Sequence, residues 1–279
     1  MTRVAVVGHV EWIEFLEVPH IPEPGEILEV RRAFEEAAGS GAVAAVQMAK
    51  LAGGATFFTA LGRDPLGDRA AERLEELGLT LHVAWRDAPQ RRGFTYLDDE
   101  GERTITVIGE RHAPSGEDPL PWEELADADA VYFTAGDAGA LRHARDAGRL
   151  VATPRAADTI ATAGVTLDAL VHSGNDETER AAAARIRPEP ELLIATQGRR
   201  GGTWTAEHGA TGTFKAAELP GPLVDQYGAG DSFAGGFTYG LGAGLDVDAA
   251  LELAARCGAS NLTGRGPYAG QLDAAAVSR

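Results

Sequence analysis

The stretch DQYGAGDSF, residues 225–233, contains the residues whose types and spacing are best suited to catalysis. Three small residues, Gly228, Ala229 and Gly230, directly precede the acidic residue Asp231. A glycine turn that opens a helix leaves the first main-chain N–H groups unpaired, and together with the helix dipole they bind anions such as phosphate. A carboxylate beside them can take the proton from a hydroxyl group that attacks phosphorus. The alternative is that Asp231 is an ordinary N-cap of an ordinary helix.

The elements around this stretch must hold it at the start of a helix. Phe233, Phe237 and Leu241 recur at four-residue spacing, which indicates a helix despite the intervening glycines. Residues 3–8, RVAVVG, are predicted to form a buried first strand. From residue 129 onward, strand-like and helical stretches alternate, which favours a parallel sheet with helices on both faces. The sequence therefore predicts an α/β fold, organised as one domain over residues 1–279.

DQYGAGDSF also resembles a known signature, D-T-x-G-A-G-D-x-F, found near the carboxyl terminus of the ribokinase-like (PfkB) carbohydrate kinases. The resemblance extends over nearly the whole chain. It implies a three-layer ribokinase-like sandwich with a mostly parallel central sheet and a small β-sheet lid. It also implies that Asp231 is the catalytic base and that the N–H groups of Gly228, Ala229 and Gly230 hold the transferring phosphate.

Two excursions from the main sheet, about residues 10–36 and 90–112, are expected to form this lid. The first contains PEPGE, which resembles the family's P-x-P-G-E. In the second, the strand-like residues 93–98 and 103–108 flank the turn residues 99–102, which predicts a hairpin. A plain edge hairpin of the main sheet is the alternative.

Residues 38–52, AGSGAVAAVQMAKLA, begin with glycines and continue as an apolar helix, which also fits the dinucleotide fingerprint G-x-G-x-x-A. The preceding FEEAA is too polar for a buried strand, and no acidic residue ends a strand about twenty residues later, so a dinucleotide fold is disfavoured. The kinase resemblance implies instead that the main chain at Gly39 and Gly41 lines the sugar site.

The predicted sugar site departs from the family pattern. Where ribokinases bind sugar hydroxyls with an Asp and an Asn, this sequence has Ile13 and Val43. Leaving a buried polar group unpaired costs roughly 1–3 kcal/mol, so ribose itself becomes doubtful as the substrate. Either the substrate has fewer hydroxyls, or Glu11, His9 and Asp137 supply the missing contacts.

The nucleotide is expected at two glycine-containing loops. The run TQGRRGG resembles the family's T-x-G-x-x-G loop and places Thr196, Gly198 and Gly201 against the adenosine phosphates, because small residues let the backbone approach closely. A simple hairpin turn explains that run equally well. The later segment CGASNLTGRGPY would close the far side of the adenine slot, with Gly258 and Asn261 in it.

Phosphoryl transfer requires Mg²⁺, which the family binds near an N-x-x-E motif. The matching segment here is SGNDETE, whose register is ambiguous, and we expect Glu177 as the ligand with Asn175 as a secondary candidate. Alternatively, these acids simply cap and charge a helix over residues 176–185. Asp225 and the loop near Gly264 and Gly266 match positions where relatives hold a monovalent cation such as K⁺ through backbone carbonyls.

The composition narrows the range of partners. A formal net charge of -17 argues against binding to nucleic acid or an anionic membrane. The single cysteine, Cys257, fits a reducing cytoplasm, and neither a membrane-spanning run nor a signal peptide is visible. We therefore expect a cytoplasmic protein that binds a nucleotide and a small-molecule substrate. The polar strand predicted at ILEVRRA, residues 27–33, would suit a homodimer formed through the lid.

Together these features predict an ATP-dependent kinase that phosphorylates a hydroxymethyl group of a small sugar-like molecule. A nucleoside kinase of the same fold is the alternative within the enzyme class. A catalytically silent ligand-binding or regulatory protein is the alternative outside it, suggested by the missing sugar contacts at Ile13 and Val43.

Overall fold

Thirteen strands and eight helices make up the part of the chain that the computed structural model describes, residues 1–99 and 103–277. In chain order the strands are β1 (Val4–Val7), β2 (Glu11–Glu17), β3 (Arg32–Ala38), β4 (Ala55–Gly62), β5 (Leu79–Arg86), β6 (Arg92–Leu97), β7 (Arg103–Ile108), β8 (Ala130–Phe133), β9 (Leu150–Ala152), β10 (Ala169–Ser173), β11 (Leu192–Thr196), β12 (Gly202–Ala206) and β13 (Thr211–Phe214). The helices are α1 (Ser40–Ala52), α2 (Pro65–Glu76), α3 (Ala138–Ala144), α4 (Ala157–Ala163), α5 (Glu177–Ala183), α6 (Ala229–Gly242), α7 (Val247–Asn261) and α8 (Ala274–Val277). Among these residues, no helix is both long and apolar enough to cross a lipid bilayer.

Nine strands form the main sheet, in the order β13-β12-β11-β10-β9-β8-β1-β4-β5. From β5 to β11 every neighbouring pair is parallel, whereas β12 and β13 are added antiparallel. The carboxyl ends of seven strands therefore lie along one edge, where ligands bind in open α/β sheets. The predicted mostly parallel central sheet is confirmed.

Alternating side chains of the strands serve two separate cores, which explains why β1 is a continuous apolar run. Val4 and Val6 belong to a core that includes residues of α1, α6 and α7. Ala5 and Val7 belong to a second core with residues of α3 and α4. Successive side chains of a strand point to opposite faces, so a sheet covered on both faces needs apolar residues throughout. The sheet is thus the middle of three layers, as predicted.

A second, smaller sheet has the strand order β3-β2-β6-β7. The β6–β7 hairpin pairs with β2 through β6, so the alternative that it forms an edge of the main sheet is wrong. Residues 100–102 of the predicted turn lie outside the described residues. This small sheet is the predicted lid.

The strand predicted at ILEVRRA, residues 27–33, is largely displaced along the chain. The observed strand β3 begins at Arg32 and includes FEEAA, which the sequence suggested was too polar for a buried strand. Its apolar residues pack inward, since Phe34 stacks on Phe15 with ring centroids 4.7 Å apart. Its acids bind arginines of α2, with Glu36 Oε1 2.9 Å from Arg73 Nε. The position of β3 was predicted wrongly because its acidic residues are neutralised by arginines of α2, which are distant in sequence.

The lid rests on the stretch that contains Asp231. Arg103 Nη1 donates to the carbonyl oxygen of Gln226 at 2.8 Å, and Glu17 Oε1 lies 2.8 Å from Arg265 Nε. The ring of Phe15 also meets the ring of Tyr227 edge-on, with centroids 4.9 Å apart. The small sheet therefore covers the carboxyl edge of the main sheet at the start of α6.

Candidate active site

The small residues 228–230 form an uncapped helix start, as the motif predicts. Gly228 is the N-cap of α6 with φ of 81°, and no side chain caps the helix. Any side chain at Gly228 would also collide with Val43, whose Cγ1 is 2.9 Å from where the new Cβ would lie. At Gly230, by contrast, an added Cβ would have nothing within 4 Å. The first N–H groups of α6 therefore adjoin open space, where an anion can approach them.

Asp231 is the third residue of α6, so the alternative that it is the N-cap is wrong. Its Oδ1 accepts a hydrogen bond from Ser40 Oγ at 2.6 Å. Burial raises the pKa of Asp231, while the Ser40 hydrogen bond and the nearby Arg155 and Arg103 lower it. The carboxylate forms no ion pair closer than 4 Å with the residues that the structure describes. A carboxylate with a raised pKa and a small donor beside it is suited to accept a proton.

Ser40, which the sequence analysis did not single out, begins α1 and brings the starts of two helices together. Gly39 is the N-cap of α1 with φ of 94°, and its N–H donates to the hydroxyl of Tyr227 at 3.3 Å. A Cβ at Gly41 would lie 2.8 Å from the carbonyl oxygen of His9, so this glycine allows α1 to approach the end of β1. The main chain at Gly39 and Gly41 thus positions Ser40 beside Asp231.

The acidic residues of SGNDETE occupy a different register from the predicted one. Asp176 is the N-cap of α5, and Glu177 beside it is exposed. Asn175 accepts a hydrogen bond from Arg200 at 3.0 Å. Glu179 instead turns back to the sheet edge, where it accepts from the N–H of Ser173 at 2.8 Å. The cap at Asp176 thus turns Glu179 toward the sheet edge and leaves Glu177 exposed.

Glu179 is close enough to Asp231 to affect its pKa. Its Oε1 is 2.9 Å from Arg155 Nη2, and its charge contributes to raising the pKa of Asp231. No group of three or more metal-binding side chains occurs among residues 1–99 and 103–277. Mg²⁺ in kinases commonly has one or two carboxylates, with phosphate oxygens and water completing its shell, so a single carboxylate at this place fits the ion.

The side chain of Asp225 binds two main-chain N–H groups, and its place in a cation site formed by backbone carbonyls stays a prediction. It is 2% exposed, its Oδ1 accepts from the N–H of Tyr227 at 2.7 Å, and its Oδ2 accepts from the N–H of Gly266 at 2.8 Å. Both carboxylate oxygens are thus occupied by main-chain donors. Asp225 ties the α6 turn to the loop that follows α7.

The TQGRRGG loop is a tight connection between antiparallel strands, because Thr196 pairs with Gly202. Gly198 and Gly201 have φ of 59° and 78°, which favour glycine. The hairpin interpretation of this run therefore describes its conformation. The loop nevertheless lies at the carboxyl edge of the main sheet, where Arg200 donates to Asn175 before α5. The contacts of Thr196, Gly198 and Gly201 with the nucleotide stay a prediction.

The two nucleotide residues predicted on α7 have different positions. A Cβ at Gly258 would lie 3.2 Å from the carbonyl oxygen of Ala229, so Gly258 adjoins the start of α6. Asn261 has no exposed surface, and its Nδ2 donates to the carbonyl oxygen of Pro267 at 2.8 Å. The Asn261 side chain therefore supports the loop after α7, and the predicted contact between this side chain and adenine does not fit.

Two of the side chains predicted to replace the missing sugar contacts, Asp137 and Glu11, already bind other groups of the protein. Asp137 caps α3 by accepting from the N–H of Ala140 at 2.8 Å, and its other oxygen accepts from Ser115 Oγ at 2.6 Å. Glu11 is 8% exposed and lies 2.7 Å from Arg91 Nε. Ile13 and Val43 are fully buried. The substrate end of the cleft thus has an apolar floor and a carboxylate already paired with an arginine.

Comparison with known proteins places this geometry in context. The family model described as pfkB family carbohydrate kinase matches residues 1–165 and 151–274. An ATP-dependent ribose-1-phosphate kinase of Halopiger xanaduensis is 28% identical over 284 residues, covering 93% of this chain and 91% of the relative. The ribokinase of Thermotoga maritima superposes with a TM-score of 0.80 at 21% identity, covering 100% of this chain and 98% of that chain. Arabidopsis thaliana ribokinase complexed with ribose and ATP gives 0.78 at 19% identity, with the same coverage. These structures confirm the predicted ribokinase-like fold.

We expect the two glycines of the α6 turn to respond differently to alanine. Gly230→Ala should keep the fold, since its Cβ meets open space, but should lower kcat at least tenfold by obstructing the anion's approach to the N–H groups. Gly228→Ala should destabilise the protein by about 1–3 kcal/mol, because of its positive φ and the collision with Val43. Thermal unfolding and ADP production measure both effects. Unchanged turnover in Gly230→Ala would show that phosphate does not approach this turn.

Turnover should depend on pH through Asp231. The ionised carboxylate is the active form, so a raised pKa makes activity disappear on acidification at a higher pH than an ordinary aspartate would give. Ser40→Ala removes a hydrogen bond that lowers this pKa, so the acid limb of the kcat–pH profile should move to still higher pH. Ser115→Ala is the matched control, because it removes a serine–aspartate hydrogen bond of 2.6 Å outside the site. Equal profiles for Ser40→Ala and the wild type would contradict this role.

Proposed function

This chain belongs to the pfkB family of carbohydrate kinases, and from that premise we propose that it transfers the terminal phosphoryl group of ATP to a hydroxymethyl group of a small sugar-like substrate. Family membership and kinase relatives make it an ATP-dependent sugar or nucleoside kinase. The position of Asp231 supports this reaction most directly. It lies in the first turn of an uncapped helix whose N–H groups adjoin open space.

In the proposed reaction the substrate hydroxyl oxygen attacks the γ-phosphorus of ATP. A bond forms between that oxygen and phosphorus, the bond from phosphorus to the β,γ-bridging oxygen breaks, and ADP departs. Asp231 accepts the hydroxyl proton. The N–H groups of residues 228–230 stabilise the negative charge on the transferring group, a kind of contribution typically worth about 10²–10³ in kcat per donor.

Glu179 would hold Mg²⁺, which when bound neutralises charge on the nucleotide phosphates. Arg155 keeps the Glu179 carboxylate in place by pairing with it at 2.9 Å. Arg155 also lowers the pKa of Asp231, so it helps to keep the base ionised. Arg155 was not predicted from the sequence, because it lies in a connection without a recognisable motif.

The lid contributes by excluding water from the reaction. Its contacts with the main body at Arg103–Gln226 and Glu17–Arg265 flank the start of α6. Water in the site would compete with the substrate hydroxyl for the phosphoryl group, and closure of such a lid suppresses ATP hydrolysis. The arrangement supports a kinase whose lid is part of its active site.

The proposal is tested most simply with Asp231→Asn. The amide can still accept the Ser40 hydrogen bond, so the fold and nucleotide binding should remain, whereas kcat should fall about 10²–10⁴-fold because the base is lost. ADP production would be measured across ribose-type sugars, sugar phosphates, sugar acids and nucleosides, with ATP–Mg²⁺ binding followed by calorimetry.

Asp137→Asn is the matched control, because Asn also caps a helix and Asp137 serves α3. This variant should turn over within about twofold of the wild type, the size of effect expected for a change away from the chemistry. Undiminished turnover in Asp231→Asn would refute the proposed base. Ligand binding by the wild type without ADP production on any compound would instead favour the ligand-binding alternative.

A further inference from the structure

Three arginines are near enough to the buried His9 to lower its pKa, and we call Arg91, Arg111 and Arg155 the arginine group. Arg91 and Arg111 flank the base of the lid hairpin, where Arg92 pairs with Ile108. The main chain there is close, since a Cβ at Gly109 would lie 3.7 Å from Arg91 Cα. This concentration of positive charge occurs in a chain with 25 Lys and Arg residues against 42 Asp and Glu residues.

His9, which follows β1, is linked to the arginine group through Glu11. His9 Nε2 lies 3.9 Å from Glu11 Oε1, and Arg91 Nε lies 2.7 Å from the same oxygen. Burial together with Arg111, Arg91 and Arg155 lowers the pKa of His9 to about 3, so the imidazole is neutral. Its Nδ1 is buried and has no hydrogen-bond partner among the described residues. The group therefore encloses a polar atom whose hydrogen-bonding capacity is unused.

The charges of the arginine group are not fully compensated. Arg155 pairs with Glu179, and Arg91 pairs with Glu11. Arg111 forms no hydrogen bond or salt bridge with residues 1–99 and 103–277 that would neutralise it. Burial and the nearby Arg91 lower the pKa of the Arg111 guanidinium, whereas Glu11 raises it. Because Arg111 is exposed and has no ion-pair partner among the described residues, its guanidinium is free to bind an anion that enters beside Arg91.

The arginine group shares its cleft with the proposed base. A Cβ at Gly39 would lie 3.4 Å from His9 Nε2, and the adjacent Ser40 donates to Asp231 at 2.6 Å, so His9 lies next to the proposed site of proton transfer. At the two positions where ribokinases have hydroxyl-binding residues, this chain has Ile13 and Val43, which are apolar and fully buried. The substrate end therefore offers charge where a pocket for a neutral sugar would offer paired hydroxyl contacts.

We propose that the substrate carries an oxyanion, a phosphate ester or a carboxylate, remote from the hydroxyl group that is phosphorylated, and that Arg111 together with Arg91 binds this oxyanion. This inference rests on the proposed kinase function and specifies its substrate class. Guanidinium groups bind both oxyanions through paired charge-assisted hydrogen bonds. A neutral sugar gains nothing from these charges, so the same contacts favour an anionic substrate over a neutral one.

Arg111→Gln is the informative variant, because Arg111 is exposed and holds no partner in place. Replacing Arg91 would leave the buried Glu11 unpaired and could damage the fold. Arg32→Gln is the matched control, since Arg32 is an exposed arginine at the far end of β3 in the same lid. All three proteins would be saturated with AMP-PNP and Mg²⁺, so that the nucleotide phosphates occupy their own site.

The first measurement is thermal unfolding with added inorganic phosphate. The wild type and Arg32→Gln should be stabilised in a concentration-dependent way, and Arg111→Gln should need about tenfold to a hundredfold more phosphate for the same shift. Equal shifts in all three proteins, or no shift in the wild type, would overturn the proposal.

The second measurement compares kcat/KM for ADP production on matched trios: a neutral sugar, its phosphate monoester and the corresponding sugar acid. At least one anionic member should exceed the neutral sugar at least tenfold, and Arg111→Gln should abolish that preference through KM. Preference for the monoester or for the acid identifies the oxyanion. Turnover of neutral sugars that equals that of their anionic partners overturns this inference while leaving the kinase function intact. Failure of the kinase proposal would appear differently, as equal ADP production by the wild type and Asp231→Asn.

Discussion

The hydrogen bond between Ser40 and Asp231 joins the amino-terminal ends of α1 and α6, and the site depends on this meeting of two helices. Both helix dipoles direct their positive ends into the cleft, which favours a carboxylate and incoming phosphates there. The approach requires glycine, since a Cβ at Gly235 would lie 2.8 Å from the carbonyl oxygen of Ala44 on α1. A Cβ at Gly236 would likewise lie 2.6 Å from Cys257 Sγ on α7. The glycines that weaken α6 as an isolated helix are therefore what place its start correctly.

The charges around the base are arranged in two directions from Asp231. On one side, Glu179 pairs with Arg155 where we propose that Mg²⁺ and the nucleotide phosphates bind. Toward the substrate side, Arg91 and Arg111 present positive charge beside the neutral His9. A chain with net charge of -17 would repel anionic ligands in general, so local cations in the cleft determine which anions can enter.

Structural elements that depend on neighbouring residues could be predicted from the sequence. The GAGD turn, the alternation of strands and helices, and the β6–β7 hairpin each depend on neighbouring residues, and the structure places them as expected. Contacts between distant residues could not be predicted. Ser40 and Asp231 are 191 positions apart, and no local pattern assigns Arg111 to the cleft. The inward position of Glu179 could not be predicted because it depends on which residue caps α5. Strand β3 lies later in the chain than predicted, because its acidic residues form ion pairs with arginines of α2.

The most direct test of the central claim is a crystal structure of the enzyme with ADP, Mg²⁺, aluminium fluoride and a substrate found in the turnover screen. Aluminium fluoride mimics the transferring phosphoryl group. The account predicts that it binds to the N–H groups of residues 228–230, with the Asp231 carboxylate within about 2.6–3.2 Å of the acceptor hydroxyl oxygen. A transition-state mimic bound elsewhere, or an acceptor hydroxyl held by a side chain other than Asp231, would contradict it.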